Sequence, residues 1–129
     1  RAFEVRPSDC RITGGACTAV AGEGASPRPR MILQLPEPPS ALTPFAVRVR
    51  LPDTPRERIG AVGVRFRMVG MDMGRNRYPL TRSETGAWRT QVTLPICSTG
   101  RRDWQAVVEA RVAGELWRAR FPFVVDSPR

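Results

Sequence analysis

The segment Met68-Val69-Gly70-Met71-Asp72-Met73-Gly74-Arg75-Asn76 holds three of the chain's four methionines within six residues. A thioether is a soft, uncharged donor, and soft donors select Cu(I) over hard cations. Met71 and Met73 are two residues apart, a step that puts both sulfurs on one side of an extended backbone and turns Asp72 away from them. Met68 shares the parity of Val64 and Phe66 and starts as a core residue; Gly70 then permits a bend or bulge that resets the facing of the residues after it. Gly74 and Asn76 both tolerate positive φ and predict a turn. Three thioethers suffice for a trigonal Cu(I) site with no charged ligand. Such donors do not titrate, so affinity should vary little with pH, unlike that of a thiolate or imidazole site. The chain has no histidine. Any transition-metal site must therefore rest on sulfur, carboxylate or backbone.

Cys97, in Leu94-Pro95-Ile96-Cys97-Ser98-Thr99-Gly100, is the candidate fourth ligand, at the end of a strand entering a turn. If that strand pairs with the one ending at Met68, thiol and thioethers meet at one rim. Trp104 is a candidate cation–π cover for the ion, and Asn76 a candidate to stand behind the donors. Two plainer readings stay open. Methionine is adaptable core filler, which suits Met68 best, and a Met-lined surface also serves protein partners. Gly70, Asp72, Gly74 and Arg75 are poor company for a core, which weakens the first reading for Met71 and Met73.

Cys10 and Cys17 flank Arg11-Ile12-Thr13-Gly14-Gly15-Ala16. The glycine pair supplies positive-φ geometry for a short hairpin that can bring the two cysteines into disulfide range. Closing that ring would stabilise by roughly 2–3 kcal/mol and implies an oxidising compartment. Two free thiols or a metal pair are the alternatives, although the spacing is not C-x-x-C. Cys97 is then left over, as a ligand, a free thiol or a small buried hydrophobe.

A length of 129 residues points to one domain, residues 1–129, with the Cys10/Cys17 hairpin at its N-terminus. No apolar run approaches the ~20 residues of a membrane-spanning helix. The first residue is Arg1, so a leader is expected to have been removed, either a natural export or lipid-attachment signal or an artificial one. The formal charge of +9 comes from 21 arginines and no lysine against 12 acidic residues. The arginines alternate with apolar residues, as in Val47-Arg48-Val49-Arg50-Leu51 and Val64-Arg65-Phe66-Arg67. That is the pattern of a solvated strand face, not of a recognition helix or basic tail, and no nucleic-acid partner is expected. Basic charge remains compatible with anionic lipid or an acidic protein. No histidine base, G-x-S-x-G elbow or phosphate-cradling glycine loop is present, and the carboxylates form no acid–base frame; an enzyme is not expected.

Period-two alternation places these residues on strands. Phe45, Val47, Val49 and Leu51 share one face. Val62, Val64, Phe66 and Met68 share another. Trp88, Val92, Leu94 and Ile96 form a third stripe, Trp104 to Val112 a fourth, and Trp117 to Val125 a fifth. Met31 to Leu35 is a further strand, and one or two more are expected between Phe3 and Val20. Turns are expected at Pro52 to Pro55, Ser83 to Gly86, and Val112 to Glu115. Together these predict an all-β fold, an immunoglobulin-like antiparallel β-sandwich of seven to eight strands.

The pattern Met68-x-Gly70-Met71-x-Met73-Gly74-x-Asn76, then Gly86-x-Trp88, then Cys97-x-x-Gly100-Arg101-x-x-Trp104-x-Ala106, resembles small exported bacterial domains of the YtkA-like and FixH-like type. The resemblance spans roughly residues 10–125. Val69 stands where many such domains have proline. Cys10 and Cys17 are similar to an N-terminal cysteine pair of some members. The resemblance implies an immunoglobulin-like β domain associated with extracytoplasmic copper handling and assembly of respiratory oxidases. The expectation is a periplasmic or otherwise exported Cu(I)-binding carrier, monomeric and either free or membrane-anchored. It would hold copper through Met71 and Met73, with Met68 and Cys97 as further ligands, and pass it to a periplasmic or membrane acceptor protein. The alternative is a metal-free interaction module that docks on a membrane-protein or assembly partner through the Met-rich loop.

Overall fold

A computed structural model describes residues 2–5, 15–22, 28–35, 42–68, 77–95 and 103–124. They form ten strands: β1 (Ala2–Val5), β2 (Gly15–Ala21), β3 (Arg30–Leu35), β4 (Phe45–Arg50), β5 (Ile59–Met68), β6 (Arg77–Pro79), β7 (Thr81–Arg82), β8 (Trp88–Val92), β9 (Asp103–Val112) and β10 (Glu115–Val124). One 3-10 turn, Arg56–Arg58, precedes β5. The all-β expectation holds. The count and the connectivity differ from it: the strands form one mixed sheet, ordered β6-β5-β9-β10-β1-β2-β3-β4-β8-β7, nearly closed into a barrel.

Two local causes account for the difference. β1 pairs in parallel with β10 (Phe3↔Ala119) and antiparallel with β2 (Phe3↔Ala21), so one four-residue strand joins what would be two separate sheets. β6 and β7, of three and two residues, are too short to show a period. The chain passes between them at Leu80, from the β5 edge to the β8 edge, and the Tyr78 hydroxyl donates to the Thr93 carbonyl at 3.2 Å across the same gap.

The alternating stripes do what alternation requires. Val47 and Val49 of β4, Val64 and Phe66 of β5, Ala106, Val108 and Ala110 of β9, and Ala119, Phe121 and Phe123 of β10 are all buried. Ile59 is also buried although its parity is opposite to that of Val62. The register shifts between Ile59 and Ala61, and this bulge at Gly60 restores the inward facing. Phe45 of β4 meets Phe66 of β5 edge-on at 6.4 Å, and Phe66 meets Tyr78 at 6.1 Å and Phe123 at 5.8 Å. These contacts join the β4 side of the core to the β5–β10 side.

The expected turn Val112 to Glu115 joins β9 to β10. Ala113 (φ 49°) and Gly114 (φ 82°) are both left-handed, as a two-residue type I′ hairpin demands. Glycine accepts this freely, whereas alanine does not. Ala113→Asn is therefore expected to stabilise the protein by about 0.5–1 kcal/mol, read as a raised urea midpoint; an unchanged or lowered midpoint contradicts this account of the turn.

Asp53 ties the end of the β4 connection to the start of β3. Its carboxylate accepts from Arg30 Nε at 2.9 Å, Nη2 at 3.0 Å and the Arg30 backbone N–H at 3.1 Å. The hydrogen bonds from Arg30 hold the Asp53 pKa below its ordinary value. A carboxylate whose folded pKa is depressed adds stability above its unfolded pKa and loses it as pH falls through the folded one. Asp53→Asn should therefore narrow the gap in stability between pH 6 and pH 2–3. The effect should be small because the pair is solvent-exposed. Urea melts at the two pH values check this, and an unchanged gap contradicts it.

Candidate functional site

The pairings fix which strand ends lie together. β1, β3, β5, β8 and β10 point their C-terminal ends one way, and β2, β4, β6 and β9 begin there. The connections that start or finish at this end carry Cys10, Met71, Met73, Asn76 and Cys97. Those five residues lie outside the described residues. The strand ends that deliver them do not.

Met68 closes β5 and Trp104 stands one residue into β9; the two are direct cross-strand partners, and Trp104 faces Phe123 of β10 on its other side. The Met68 connection leads to Met71 and Met73. The connection carrying Cys97 arrives at β9 beside it. The thiol segment and the thioether segment are thus tethered to neighbouring strands, by a route unlike the expected one. The strand preceding Cys97, β8, pairs with β4 and β7 rather than with β5. It is the strand following Cys97 that pairs with β5.

Met68 and Trp104 are 0% and 2% exposed. Both belong to the core in the described fold, in a wall completed by Phe45, Phe66 and Phe123. Aromatic side chains of this size stiffen the end of the sheet from which the connections depart, and a rigid scaffold is what positions loop chemistry.

Leu42 carries no signal in the sequence. It is 57% exposed, the one large hydrophobic that is so among the described residues. Its φ of 65° is unusual for a non-glycine residue, and its N–H donates to the Leu94 carbonyl at 2.9 Å. Leu94 follows the last residues of β8, so Leu42 stands at the same end as the Met68 connection. Nothing in the proline-rich stretch around it marks it by type or spacing.

Cys17 is buried in β2 opposite Leu33. Gly15 takes φ 85°, the geometry expected of the glycine pair. Among the described residues no group of three or more His, Cys, Asp or Glu side chains is placed to hold a metal, and no helix is long and apolar enough to cross a membrane.

The described strands define an all-β protein in which the connections that include Cys10, Met71, Met73 and Cys97 leave from and return to one end of the sheet. Comparison with protein-family models, with curated proteins and with solved structures finds no match for this chain.

Proposed function

We propose that this chain is an exported Cu(I)-binding protein of the carrier type. Met71 and Met73 are its principal donors, with Met68 and Cys97 as further candidates. The observation that supports this most is the direct pairing of Met68 with Trp104, which tethers the methionine and Cys97 connections to adjacent strands. Neutral thioethers bind a soft monovalent ion without the charge that would slow its release to a thiolate acceptor. That acceptor is a periplasmic or membrane copper protein, and the carrier is a monomer in an oxidising compartment with Cys10 and Cys17 joined. The resemblance to YtkA-like and FixH-like domains is part of the same proposal, as is an immunoglobulin-like reading of the sheet. In that reading β3-β4-β8 and β10-β9-β5 are two facing layers that meet at Phe45 and Phe66.

Reduced protein titrated with Cu(I) against a competing chelator tests this. One ion per chain is expected. Its affinity should be flat between pH 5 and 7 if thioethers alone bind, and should rise with pH if the Cys97 thiolate takes part. No competition at any pH contradicts the proposal.

A second reading rests on Leu42. An exposed leucine fixed in a left-handed conformation at the end of the sheet suits a metal-free docking module whose partner covers it together with the Met-rich loop. A pull-down with metal chelated throughout separates the two. A partner retained by wild type and lost with Leu42→Ser supports docking, and loss of the partner on chelation supports copper.

A further inference from the structure

We propose that a groove across β5, β6 and β9 binds a phosphate-class oxyanion, either a soluble phosphate monoester or a phosphomonoester lipid headgroup. This site is independent of the copper reading and lies on the sheet's outer face rather than at its end.

The groove follows from the outward residues of β5. Ala61 and Gly63 are small where Arg65 and Arg67 are long, so a depression of about 380 Å³ opens over the small pair. Tyr78 and Pro79 of β6, Glu109 and Arg111 of β9, and Leu116 of β10 bound it. A Cβ added at Gly63 would meet nothing closer than the Tyr78 carbonyl at 3.6 Å. Packing therefore does not require glycine there, and the space above it is open. A volume of about 380 Å³ falls at the small end of the ~300–1,000 Å³ usual for small-molecule sites.

The charges in the groove are unbalanced. Arg65, Arg77 and Arg111 line it against one carboxylate, Glu109. That carboxylate is largely committed: Oε2 accepts from Arg118 Nη2 at 2.8 Å and Nε at 3.1 Å, while Oε1 lies 3.5 Å from Arg65 Nε. Arg65 Nε is shielded from water and has no hydrogen-bond acceptor. A buried donor without an acceptor costs free energy, and Arg65 would have to shift for an oxyanion in the groove to reach it. Arg77 and Arg111 form no ion pair among the described residues. Planar guanidinium groups match phosphate bidentately. Three of them around one site exceed what a single carboxylate ligand would neutralise. Tyr78, Pro79 and Leu116 supply an apolar wall for the organic part of a monoester.

Calorimetry at low salt with phenyl phosphate and inorganic phosphate tests the site, alongside flotation with phosphatidylcholine vesicles with and without phosphatidic acid. Wild type should bind phenyl phosphate with a Kd below about 1 mM, or be retained on phosphatidic acid vesicles alone. The first result assigns a soluble ester and the second a headgroup. Gly63→Val fills the groove, and Arg77→Gln removes an exposed cation from its rim; each should weaken binding at least about tenfold at an unchanged melting temperature. The double change Arg48→Gln, Arg89→Gln, on β4 and β8, removes equal or greater charge elsewhere and should leave binding intact. The proposal is overturned if neither ligand form binds. It is also overturned if the β4/β8 variant loses as much as Arg77→Gln, which would show diffuse charge attraction. Should Gly63→Val fail to fold, Arg77→Gln and Arg111→Gln, both exposed changes, decide the matter.

Discussion

Replacing Met71 and Met73 together with leucine is expected to weaken Cu(I) binding by at least about 100-fold, since losing even the outer support of a metal ligand costs 10–100-fold. Leucine keeps the volume and apolar character of methionine and removes only the soft donor. Both residues fall between β5 and β6 in the chain, and the swap conserves volume, so the melting temperature should stay within a few degrees of wild type. Chelator competition with the reduced proteins reads the difference directly. Equal competition by wild type and double variant would show that the methionines are not ligands. If the double variant keeps a residual affinity that rises with pH, the remaining donor is a thiolate, and Cys97→Ser should abolish it.

The second large effect falls on the core beneath that end of the sheet. Phe66 is 3% exposed and meets Phe45, Tyr78 and Phe123 edge-on, at 6.4, 6.1 and 5.8 Å. Its ring contacts side chains of β4, β6 and β10. Phe66→Ala should cost roughly 3–5 kcal/mol, because the cavity opens among neighbours on different strands that cannot all collapse into it. In a chain of this size that corresponds to a fall in Tm of roughly 10–20 °C. Urea denaturation measures the loss, and a cost below about 1 kcal/mol would mean that these rings do not tie the strands together. Phe66 sits two residues before Met68, so the same variant tests whether the strand end must be rigid. Cu(I) affinity should fall along with stability, by less than in the methionine variant.

The sequence revealed long strands well and short ones poorly, for a physical reason. β5, β9 and β10 bury one face over ten residues each, so the period-two signal repeats four or five times. β6 and β7 bury little and are held by neighbours distant in sequence. The parallel pairing of β1 with β10 joins residues more than a hundred positions apart, and no local period can announce it. Val107 shows a further limit. It points to the outer face yet is fully buried, lying in the register between Arg65 and Arg120, whose aliphatic stems can cover it. The clustering of the methionines was visible from the sequence alone. A shared rim for Cys97 and the methionines was expected only if the strand before Cys97 paired with β5; the strand that pairs with β5 is the one after it. The groove over Gly63 was hidden altogether, because Ala61 and Gly63 beside Arg65 look like any solvated strand face until the neighbours across β6 and β9 are known.

Copper K-edge X-ray absorption on the reduced, Cu(I)-loaded protein tests the central claim most directly. The first shell should contain sulfur scatterers alone, reduced in number in the Met71→Leu, Met73→Leu variant. A first shell of nitrogen and oxygen, or one unchanged by that substitution, would contradict it.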